Sequence, residues 1–415
     1  MAFAATFLDR LNAATRTPEG VTRQSFGAGE QVAHDIAREI ASTLRLEVQT
    51  DAAGNLYMTL PGRDRSKPVW LTGSHLDSVP CGGNFDGAAG VAAGFAALHA
   101  FQNAGIEPAC DLTIIATRGE EGSSWFSGPH KSHFGGRAAL GQLSGDEMGA
   151  ARSIEDGRSL ADTIKAAGFD PERIALGPAA LTPDRVRGFV ELHIEQGPVL
   201  DRTAMPVGVV SGIRGTRRAR NAAVIGADAH SGAVPREYRK DAVLAASELA
   251  VTLEAEWERW LKDGRDAVCT FGRFHTDAAR HSLTKVPGEL RFTLDIRSIE
   301  ADLLEEAERF VVAAAQRIGD RRGVNIDLGR IDRAPPAVMS TDLQEKLRVH
   351  ASRLGIPAIG LASGGGHDAA NFAAAGIPTV MLFVRNPNGS HHPDEDMSIA
   401  DFGLGARLLA ELFLS

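Results

Sequence analysis

The chain has 415 residues, of which 43% are hydrophobic and 23% are charged. This length exceeds one ordinary hydrophobic core and predicts two domains, and the composition is typical of a soluble globular protein. The net charge is -9, and no basic block is longer than the pair Arg217-Arg218. These features disfavour a nucleic-acid partner. An anionic substrate would have to be bound by a few local arginines rather than by the overall charge.

The cysteines and the N-terminus indicate the expected compartment. Cys81, Cys110 and Cys269 are widely spaced, which predicts neither a disulfide framework nor a zinc finger, and each is expected to be a small buried residue. The first ten residues lack the features of a signal peptide. No run of about 18 apolar residues occurs, so no membrane partner is expected. The sequence therefore predicts a cytoplasmic protein.

The pattern of apolar residues predicts helices and strands that alternate through most of the chain. Predicted helices lie at residues 7–13, 31–44, 88–98, 241–261, 301–318, 342–354, 369–375 and 402–413. Predicted strands lie at residues 46–49, 56–60, 69–71, 112–117, 186–192, 207–213, 219–225, 268–274, 290–296 and 379–384. This alternation predicts an α/β fold.

The pattern changes near residue 208 and changes back near residue 333. Within residues 208–333 the strands alternate apolar and polar side chains and accompany two helices, which predicts an inserted α+β sandwich. Residues 1–207 and 334–415 would then form one α/β domain, with a mixed sheet and helices on both faces. This larger domain is the predicted catalytic domain.

Ionisable side chains follow four of the predicted apolar strands. They are His75, the pair Glu120 and Glu121, His193, and the pair His391 and His392. Ligands of open α/β sheets bind outside the carboxyl ends of the strands, so we expect these groups to meet in one crevice with Asp86. Imidazoles with carboxylates favour Zn²⁺, Mn²⁺ or Co²⁺ over Ca²⁺ or Mg²⁺. Three histidines and two carboxylates exceed the needs of one catalytic zinc and predict two ions.

Each of these signals has a structural alternative. A single histidine at a strand end is more often hydrogen-bonded within the fold, and a pair such as Glu120-Glu121 is commonly a solvated surface. Asp86 alone also fits a turn or the N-cap of the helix that follows it. The occurrence of such groups at four strand ends favours the metal site. Adjacent side chains on extended backbone point apart, so one glutamate could ligate a metal while the other acts as a general base.

Seven short motifs are spread along nearly the whole chain. They are GSHLDSV at 73–79, GNFDG at 83–87, EEGS at 120–123, HIEQGP at 193–198, FTLDIR at 292–297, SGGGHDA at 363–369 and SH at 390–391. Together they resemble the dinuclear-metal M20 peptidase group. The HIEQGP motif places the resemblance in the branch of N-carbamoyl-L-amino acid amidohydrolases, β-ureidopropionases and allantoate amidohydrolases.

The resemblance implies a metal-ligand set with two divalent ions per subunit. His75, Asp86 and His193 would hold one ion. Asp86, Glu121 and His391 would hold the other, so that Asp86 bridges the two. The ions implied are Zn²⁺, Mn²⁺ or Co²⁺.

The resemblance also implies catalytic roles and a homodimer. Glu120 would be the general base that activates the attacking water, and Asp77 would orient the ring of His75. His230 would reach into the partner subunit's site and stabilise the tetrahedral oxyanion. The inserted domain would be both a lid and the dimer interface.

The resemblance also implies five substrate contacts: Gln196, Arg297, Thr284, Arg217 and His367. Arg297 would bind a substrate carboxylate through its forked guanidinium. Arg297 and Asp295 share one face of a predicted strand, so a surface ion pair is the alternative role for Arg297.

Several positions around the expected substrate depart from the branch. Ser124-Trp125 stands where Arg-Phe is usual, extra residues follow through Lys131, and Thr216, Arg236 and Thr284 replace the usual Gln, Met and Asn. None of these positions is a predicted metal ligand. The departures therefore leave the substrate undetermined but do not change the predicted chemistry. His392 stands where Asn is common and is placed outside the ligand set, with an exchange of His391 and His392 as the alternative.

The sequence therefore predicts a metal-dependent hydrolase of linear amide C–N bonds. The predicted substrates are N-carbamoyl (ureido) amino acids, which would yield ammonia, CO₂ and an amino acid. The alternatives are allantoate or β-ureidopropionate, and the substrates of M20 N-acyl-amino acid deacylases or aminopeptidases. A non-catalytic binding protein on the same fold is a further alternative, against which Glu120 and the complete ligand set argue.

Overall fold

The computed structural model describes residues 1–128 and 132–415, so His130 and Lys131 lie outside the described residues. The chain forms two compact units, Met1–Ser211 with Val338–Ser415, and Gly212–Ala337. The chain passes from the first unit to the second after Ser211 and returns after Ala337. The sequence pattern places these two boundaries four residues earlier, after residue 207 and after residue 333. The first boundary is later because the strand that leaves the first unit continues to Ile213.

Helices occur along the chain from residue 2 to residue 413, interspersed with the strands. The α-helices are α1 Ala2–Thr15, α2 Ala28–Thr43, α3 Ala88–Asn103, α4 Gly122–Trp125, α5 Phe134–Ala139, α6 Gly145–Ala150, α7 Leu160–Ala166, α8 Pro171–Leu176, α9 Val199–Arg202, α10 Ala242–Lys262, α11 Ala301–Arg322, α12 Thr341–Leu354, α13 Asp368–Ala374 and α14 Ile399–Phe413. A 3-10 helix spans Arg236–Tyr238. Across the described ranges, no helix has both the length and the apolar character of a membrane span.

The strands range from two-residue bridges to an eleven-residue strand. They are β1 Arg16–Thr17, β2 Gly20–Val21, β3 Glu47–Thr50, β4 Leu56–Leu60, β5 Val69–His75, β6 Leu112–Thr117, β7 Phe126–Ser127, β8 Arg152–Ser153, β9 Val186–Ile194, β10 Val207–Ile213, β11 Gly215–Ile225, β12 Ala229–His230, β13 Val268–His275, β14 Lys285–Val286, β15 Glu289–Ser298, β16 Asn325–Asp327, β17 Ile331–Ala334, β18 Ala337–Val338, β19 Ala358–Ser363 and β20 Thr379–Val384.

The first unit is built on a large mixed sheet. Its order is β18, β10, β20, β9, β5, β6, β4 and β3, and β19 also pairs with β10. Strands β20, β9, β5 and β6 are parallel, whereas β10, β4 and β3 pair in antiparallel fashion. Central parallel strands are buried on both faces, and β6 and β20 are buried along their whole length. The predicted α/β fold with a mixed sheet flanked by helices is confirmed.

Helix α3 lies in the core of this unit and consists largely of alanine and glycine. Every residue from Ala88 through Leu98 is buried. A Cβ atom at Gly90 would lie 2.6 Å from the carbonyl oxygen of Leu192, and one at Gly94 would lie 2.7 Å from the side chain of Ile114. Small residues therefore let α3 approach β9 and β6 closely, which fixes the loop between β5 and α3.

A small separate core lies beneath the segment that follows β6. Phe126, Phe134, Met148 and Leu160 are buried in it. The ring of Phe134 lies edge-on to that of Phe126, with centroids 5.3 Å apart. This core anchors the start of α5, which is next to the loop that carries Glu120 and Glu121.

The second unit contains an antiparallel sheet with the order β13, β15, β11 and β16, and β17 also pairs with β11. Helices α10 and α11 pack against this sheet. Leu290, Phe292, Leu294 and Ile296 alternate along β15 and are buried, as the period of two in a strand requires. Trp260 of α10 is fully buried in the same core.

Replacing Gly73 by alanine is expected to destabilise the protein strongly. Gly73 has a φ of 139°, and a Cβ atom there would lie 1.8 Å from the carbonyl oxygen of Ile115 in the neighbouring strand β6. Because backbone in the centre of the sheet would have to move, we expect a loss of at least about 3 kcal/mol in the free energy of unfolding.

Gly105 supplies the matched control for this measurement by chemical denaturation. It also has a positive φ, of 63°, but a Cβ atom there would have no neighbour within 4 Å. Gly105→Ala is therefore expected to lose only about 1 kcal/mol. Equal losses in the two variants would contradict the close approach of β5 and β6.

Candidate metal centre

The carboxyl ends of the four parallel strands meet at one edge of the sheet. His75 is the last residue of β5, and His193 is the penultimate residue of β9. Glu120 and Glu121 follow β6, and His391 follows β20. The four neighbouring strands run in the same direction, so the groups that follow them lie at the same edge.

Asp86 lies at the centre of these groups. Its Oδ1 atom is 3.4 Å from Nε2 of His75 and 3.1 Å from Nε2 of His193. Its Oδ2 atom is 3.2 Å from Nε2 of His391, which in turn is 3.0 Å from Oε1 of Glu121. The structure therefore brings the five predicted ligands together as two groups that share Asp86.

The orientation of two imidazoles favours metal binding. Nδ1 of His75 lies 3.0 Å from the carbonyl oxygen of Asp77, and Nδ1 of His193 lies 2.8 Å from that of Ile194. A carbonyl oxygen only accepts, so Nδ1 carries the proton and the Nε2 lone pair of each neutral ring faces Asp86. Two acceptors that face each other repel unless a cation or a proton lies between them.

The distances and donor types fit a divalent ion. Oδ1 of Asp86 is buried and lacks a hydrogen-bond partner among the described residues. Tetrahedral bonds of about 2.0–2.1 Å place neighbouring ligand atoms ~3.3 Å apart. The four contacts through Asp86 and Glu121 span 3.0 to 3.4 Å. Imidazole nitrogen with carboxylate oxygen suits Zn²⁺, Mn²⁺ or Co²⁺.

The pKa values in the cluster depend on burial and on the contacts between its carboxylates and imidazoles. Burial raises the pKa of Glu121. Burial alone would also raise the pKa of Asp86, but contacts with His193, His391 and His75 hold it well below its ordinary value. Contacts with Asp86 and Glu121 raise the pKa of His391 to about 10. Coordination requires the neutral imidazole, so metal binding at His391 must release a proton.

Solvent reaches the two ligand groups to different extents. The side chains of His75 and His193 are 1% and 0% exposed. The side chain of His391 is 49% exposed, although Glu121 beside it is only 10% exposed. The first group is therefore buried, whereas the second is open to solvent on the side of His391.

Asp77 supports the site from beneath. Its Oδ1 atom accepts a hydrogen bond from the amide of Glu120 at 3.1 Å and lies 3.3 Å from Nδ1 of His75. Its Oδ2 atom accepts from the amide of Glu121 at 3.0 Å and from the hydroxyl of Ser25 at 2.5 Å. Asp77 therefore fixes the backbone of both glutamates, and its carboxylate also lies beside the ring of His75.

The two adjacent glutamates have different partners. Oε1 of Glu121 contacts His391, whereas Oε2 of Glu120 lies 4.0 Å from Nε2 of His75. Oε1 of Glu120 lies 3.1 Å from Nδ1 of His133. Burial would lower the pKa of His133, but Glu120 and Asp368 raise it to about 10. Glu120 belongs to neither ligand group, which leaves its carboxylate available as a base.

Gln196 lies within the ligand cluster. Its Nε2 atom donates to Oδ2 of Asp86 at 2.8 Å and lies 3.4 Å from Nε2 of His391. His392 takes no part in the cluster, because its Nε2 atom contacts the carbonyl oxygen of Asn388. The geometry thus favours His391 over His392 as the ligand.

His367 lies behind the predicted ligand His193 and is 2% exposed. The two rings meet edge-on with centroids 4.5 Å apart, and Nε2 of His367 lies 3.0 Å from the hydroxyl of Ser363. Burial lowers the pKa of His367 well below its ordinary value, so the ring is neutral. This position supports the ring of His193.

His230 and Thr284 lie in the second unit. The exposed His230 accepts hydrogen bonds at Nδ1 from the amides of Gly232 and Ala233, both at 3.1 Å. The neutral ring therefore carries its proton on Nε2, which makes that atom a donor. The carbonyl oxygen of Thr284 accepts from the amide of Ser231 at 3.0 Å, which ties the two segments together.

Arg297 and Arg217 also lie in the second unit, and both are ion-paired within it. Arg297 donates to Oδ2 of Asp295 through Nη2 at 2.8 Å and through Nε at 3.0 Å. The ion pair named as the alternative for Arg297 is therefore present. Nε of Arg217 lies 2.9 Å from Oε2 of Glu308.

Glu395 and Ser390 support Asp86, and sequence reasoning missed their roles. Oε1 of Glu395 accepts from the amides of Phe85 at 2.7 Å and Asp86 at 3.1 Å. The hydroxyl of Ser390 lies 2.8 Å from Oδ2 of Asp86 and 2.5 Å from Oε2 of Glu395. One hydroxyl proton cannot serve both oxygens. Burial raises the pKa of Glu395.

One signal for Glu395 was present in the sequence. Gly83 leaves the space that Glu395 fills, because a Cβ atom at Gly83 would lie 2.3 Å from that side chain. A glycine alone does not identify its neighbour. His133 gave no periodic signal because it lies in an irregular segment.

The sequence profile of peptidase family M20/M25/M40 matches residues 71–415. The chain belongs to this family. The M20 resemblance predicted from the motifs is thus confirmed, and with it the prediction of a hydrolase.

Similar proteins place the chain among the amidohydrolases of the M20 family. The N-carbamoyl-L-amino acid amidohydrolase of Geobacillus stearothermophilus is 34% identical over 391 residues, which are 94% of this chain and 92% of that protein. The allantoate amidohydrolase of Escherichia coli (strain K12) is 34% identical over 369 residues, 88% of this chain and 85% of that protein. A crystal structure of an amidase of the hydantoinase/carbamoylase family from Burkholderia multivorans has a TM-score of 0.88 at 26% identity and covers 99% of this chain and 96% of that chain. The predicted enzyme class, an amidohydrolase, is confirmed.

Asp77→Asn is expected to weaken metal binding. The amide nitrogen cannot accept the hydrogen bonds that a carboxylate oxygen of Asp77 takes from Glu120 or Glu121, so the backbone of the glutamate pair would shift. We expect metal affinity to fall about 10- to 100-fold, as measured by competition with a chromophoric chelator. Asp35→Asn, at an exposed position on α2, is the isosteric control and should leave the affinity unchanged. Wild-type affinity in Asp77→Asn would contradict a supporting role.

Proposed function

We propose that this M20-family protein hydrolyses the linear C–N bond of N-carbamoyl amino acids. The single observation that carries the proposal is the position of Asp86, which two candidate ligand groups share beside a carboxylate that belongs to neither group, that of Glu120. The similarity to an N-carbamoyl-L-amino acid amidohydrolase over 94% of the chain supports the substrate class.

The proposed cofactor is a pair of divalent ions, Zn²⁺, Mn²⁺ or Co²⁺. His75, Asp86 and His193 would hold one ion, and Asp86, Glu121 and His391 the other. When bound, such ions polarise a substrate carbonyl and lower the pKa of water.

Glu120 is the proposed general base. Its Oε2 atom faces the ligand cluster, 4.0 Å from Nε2 of His75, so it can take a proton from the attacking water. The water oxygen adds to the ureido carbonyl carbon, and the proton passes through Glu120 to the terminal nitrogen. The C–N bond to that nitrogen then breaks and releases ammonia. The remaining carbamate loses CO₂ and leaves the amino acid.

The second unit is the proposed lid and dimer interface. His230 has its donor at Nε2, which suits stabilisation of an oxyanion in the partner subunit's site. Arg297 would exchange its contact with Asp295 for a substrate carboxylate. Thr284 and Arg217 are retained as proposed substrate contacts.

In the first unit, Gln196 is the substrate contact best supported by geometry, because its amide already lies among the ligands. His367 is revised from substrate contact to support of His193, because it is buried behind that ring.

Allantoate is the second candidate substrate, and the similarity to an allantoate amidohydrolase at 34% identity favours it. β-Ureidopropionate and N-acylated amino acids or peptides are the remaining alternatives. The products distinguish these substrates: ureido substrates release ammonia, whereas N-acyl substrates release a carboxylate.

A substrate panel on metal-reconstituted protein tests the proposal. We expect ammonia release from N-carbamoyl amino acids, with kcat/KM at least about tenfold above that for allantoate, β-ureidopropionate or N-acetyl amino acids. Protein stripped by a chelator should be inactive and should regain activity with Zn²⁺, Mn²⁺ or Co²⁺. Turnover confined to N-acetyl substrates would refute the ureido assignment.

Two inactive variants test the base and the dimer together. Glu120→Gln should bind metal but lose turnover, because an amide cannot take the proton. His230→Ala should lower kcat by about 10²- to 10³-fold, as the loss of an oxyanion donor does. A hybrid dimer has one site with both groups intact, so activity should return when the two variants exchange subunits. Full activity of Glu120→Gln would disprove the base, and a mixture without recovery would disprove the role in trans.

A further inference from the structure

His133 lies between two buried carboxylates, those of Glu120 and Asp368. Its Nδ1 atom is 3.1 Å from Oε1 of Glu120 and 3.7 Å from Oδ1 of Asp368. Nδ1 of His133 and Oδ1 of Asp368 are both buried, and neither makes a well-aligned hydrogen bond in the part of the chain that the structure describes. The contacts of His133 with the two carboxylates are therefore ion pairs at Nδ1.

Asp368 is held rigidly. It is fully buried at the start of α13, and its Oδ2 atom accepts a hydrogen bond from the hydroxyl of Thr117 at 2.6 Å. Its Oδ1 atom occupies space that only a glycine at position 136 leaves free, because a Cβ atom at Gly136 would lie 2.3 Å from it. Asp368 thus offers a fixed acceptor on one side of the imidazole.

The backbone holds His133 against the loop that carries Glu120. The amides of residues 133, 134 and 135 donate to the carbonyl oxygens of residues 120, 119 and 118, at 3.0, 3.1 and 2.7 Å. His133 has a φ of 57°, in the left-handed region. A glycine would adopt this conformation without strain, so the histidine bears a conformational cost that its side-chain contacts must offset.

The segment before His133 is also where this chain departs from the motifs of its branch. Ser124-Trp125 and the residues through Lys131 replace the usual sequence after the EEGS motif. His133 lies two residues after Lys131, at the start of the segment anchored by the small core around Phe134. The contact with Glu120 therefore comes from the end of a segment that departs from the motifs of the branch.

We propose that His133 is a positioning residue that fixes the carboxylate of Glu120 for catalysis. The ion pair at Nδ1 holds Oε1, and this leaves Oε2 directed at the ligand cluster, 4.0 Å from Nε2 of His75. Asp368 faces the same ring nitrogen at 3.7 Å and adds to the attraction that keeps the imidazole in place. A carboxylate held at one oxygen cannot rotate its second oxygen away from the water that it must deprotonate. The inference rests on the proposed role of Glu120 as the base.

Two substitutions separate the side chain from the backbone. His133→Gly removes the imidazole and relieves the left-handed conformation, so the fold should be retained. His133→Asn also tolerates this conformation, and its amide nitrogen stands near the place of Nδ1. We expect kcat of His133→Gly to fall about 10- to 100-fold on the best substrate of the panel, with KM and metal content close to wild type. His133→Asn should recover most of that loss.

Ala204→Gly is the matched control, because Ala204 is an exposed residue with a similar φ of 54°. It should keep kcat and KM and have an unchanged or slightly higher melting temperature. A kcat of His133→Gly within twofold of wild type would overturn the proposal, as would equal losses in His133→Gly and His133→Asn. Metal loss in His133→Gly that accounts for the fall in kcat would also overturn it.

Failure of this inference can be told apart from failure of the proposed function. If Glu120→Gln is inactive while His133→Gly keeps wild-type kcat, Glu120 is the base and His133 does not position it. If Glu120→Gln is fully active, the proposed base is wrong, and the positioning role falls with it. The measurements use whichever substrate is turned over, so the result does not depend on the ureido assignment.

Discussion

The structure depends on one buried carboxylate, that of Asp86, which faces three imidazoles at 3.1 to 3.4 Å. Burying a carboxylate is unfavourable unless positive charge or hydrogen-bond donors surround it. Oδ1 of Asp86 faces Nε2 of His75 and Nε2 of His193, which compensate its charge only when a proton or a cation lies between the oxygen and the nitrogens. The site therefore requires a positive charge, and the surrounding protein holds Asp86 and the three imidazoles in this arrangement.

The fold supplies the rigidity that such an arrangement needs. Four parallel strands end at one edge, and the all-buried helix α3 packs against two of them so closely that a methyl group at Gly90 would not fit. The loop that carries Asp86 has little freedom between these elements. Glu395 then fixes the backbone of that loop, and Asp77 fixes the backbone of the glutamate pair. Ligand positions are thus set before any ion or substrate arrives.

Sequence reasoning recovered the parts of this arrangement that follow from regular structure. The apolar runs that become β5, β6, β9 and β20 identify strands, and the rule that ligands collect at carboxyl ends locates the crevice. It missed the contributions of Ser390, Glu395 and His133, because these residues lie in irregular segments without a period. It also could not decide between a substrate contact and an ion pair for Arg297, since spacing along a strand allows both. The burial of His367 could not be predicted either, because a glycine-rich motif does not show where its residues lie relative to the ligand cluster.

The unequal exposure of the two ligand groups has a consequence for how ions would be exchanged. An ion held by His75, Asp86 and His193 would be enclosed, whereas one held by Asp86, Glu121 and His391 would have a route to solvent past a half-exposed ring. If both sites are filled as proposed, the second ion would leave and return faster than the first. The protein would then pass through a form that holds only one ion. Only the site formed by Asp86, Glu121 and His391 would fill or empty as the surrounding metal concentration changes.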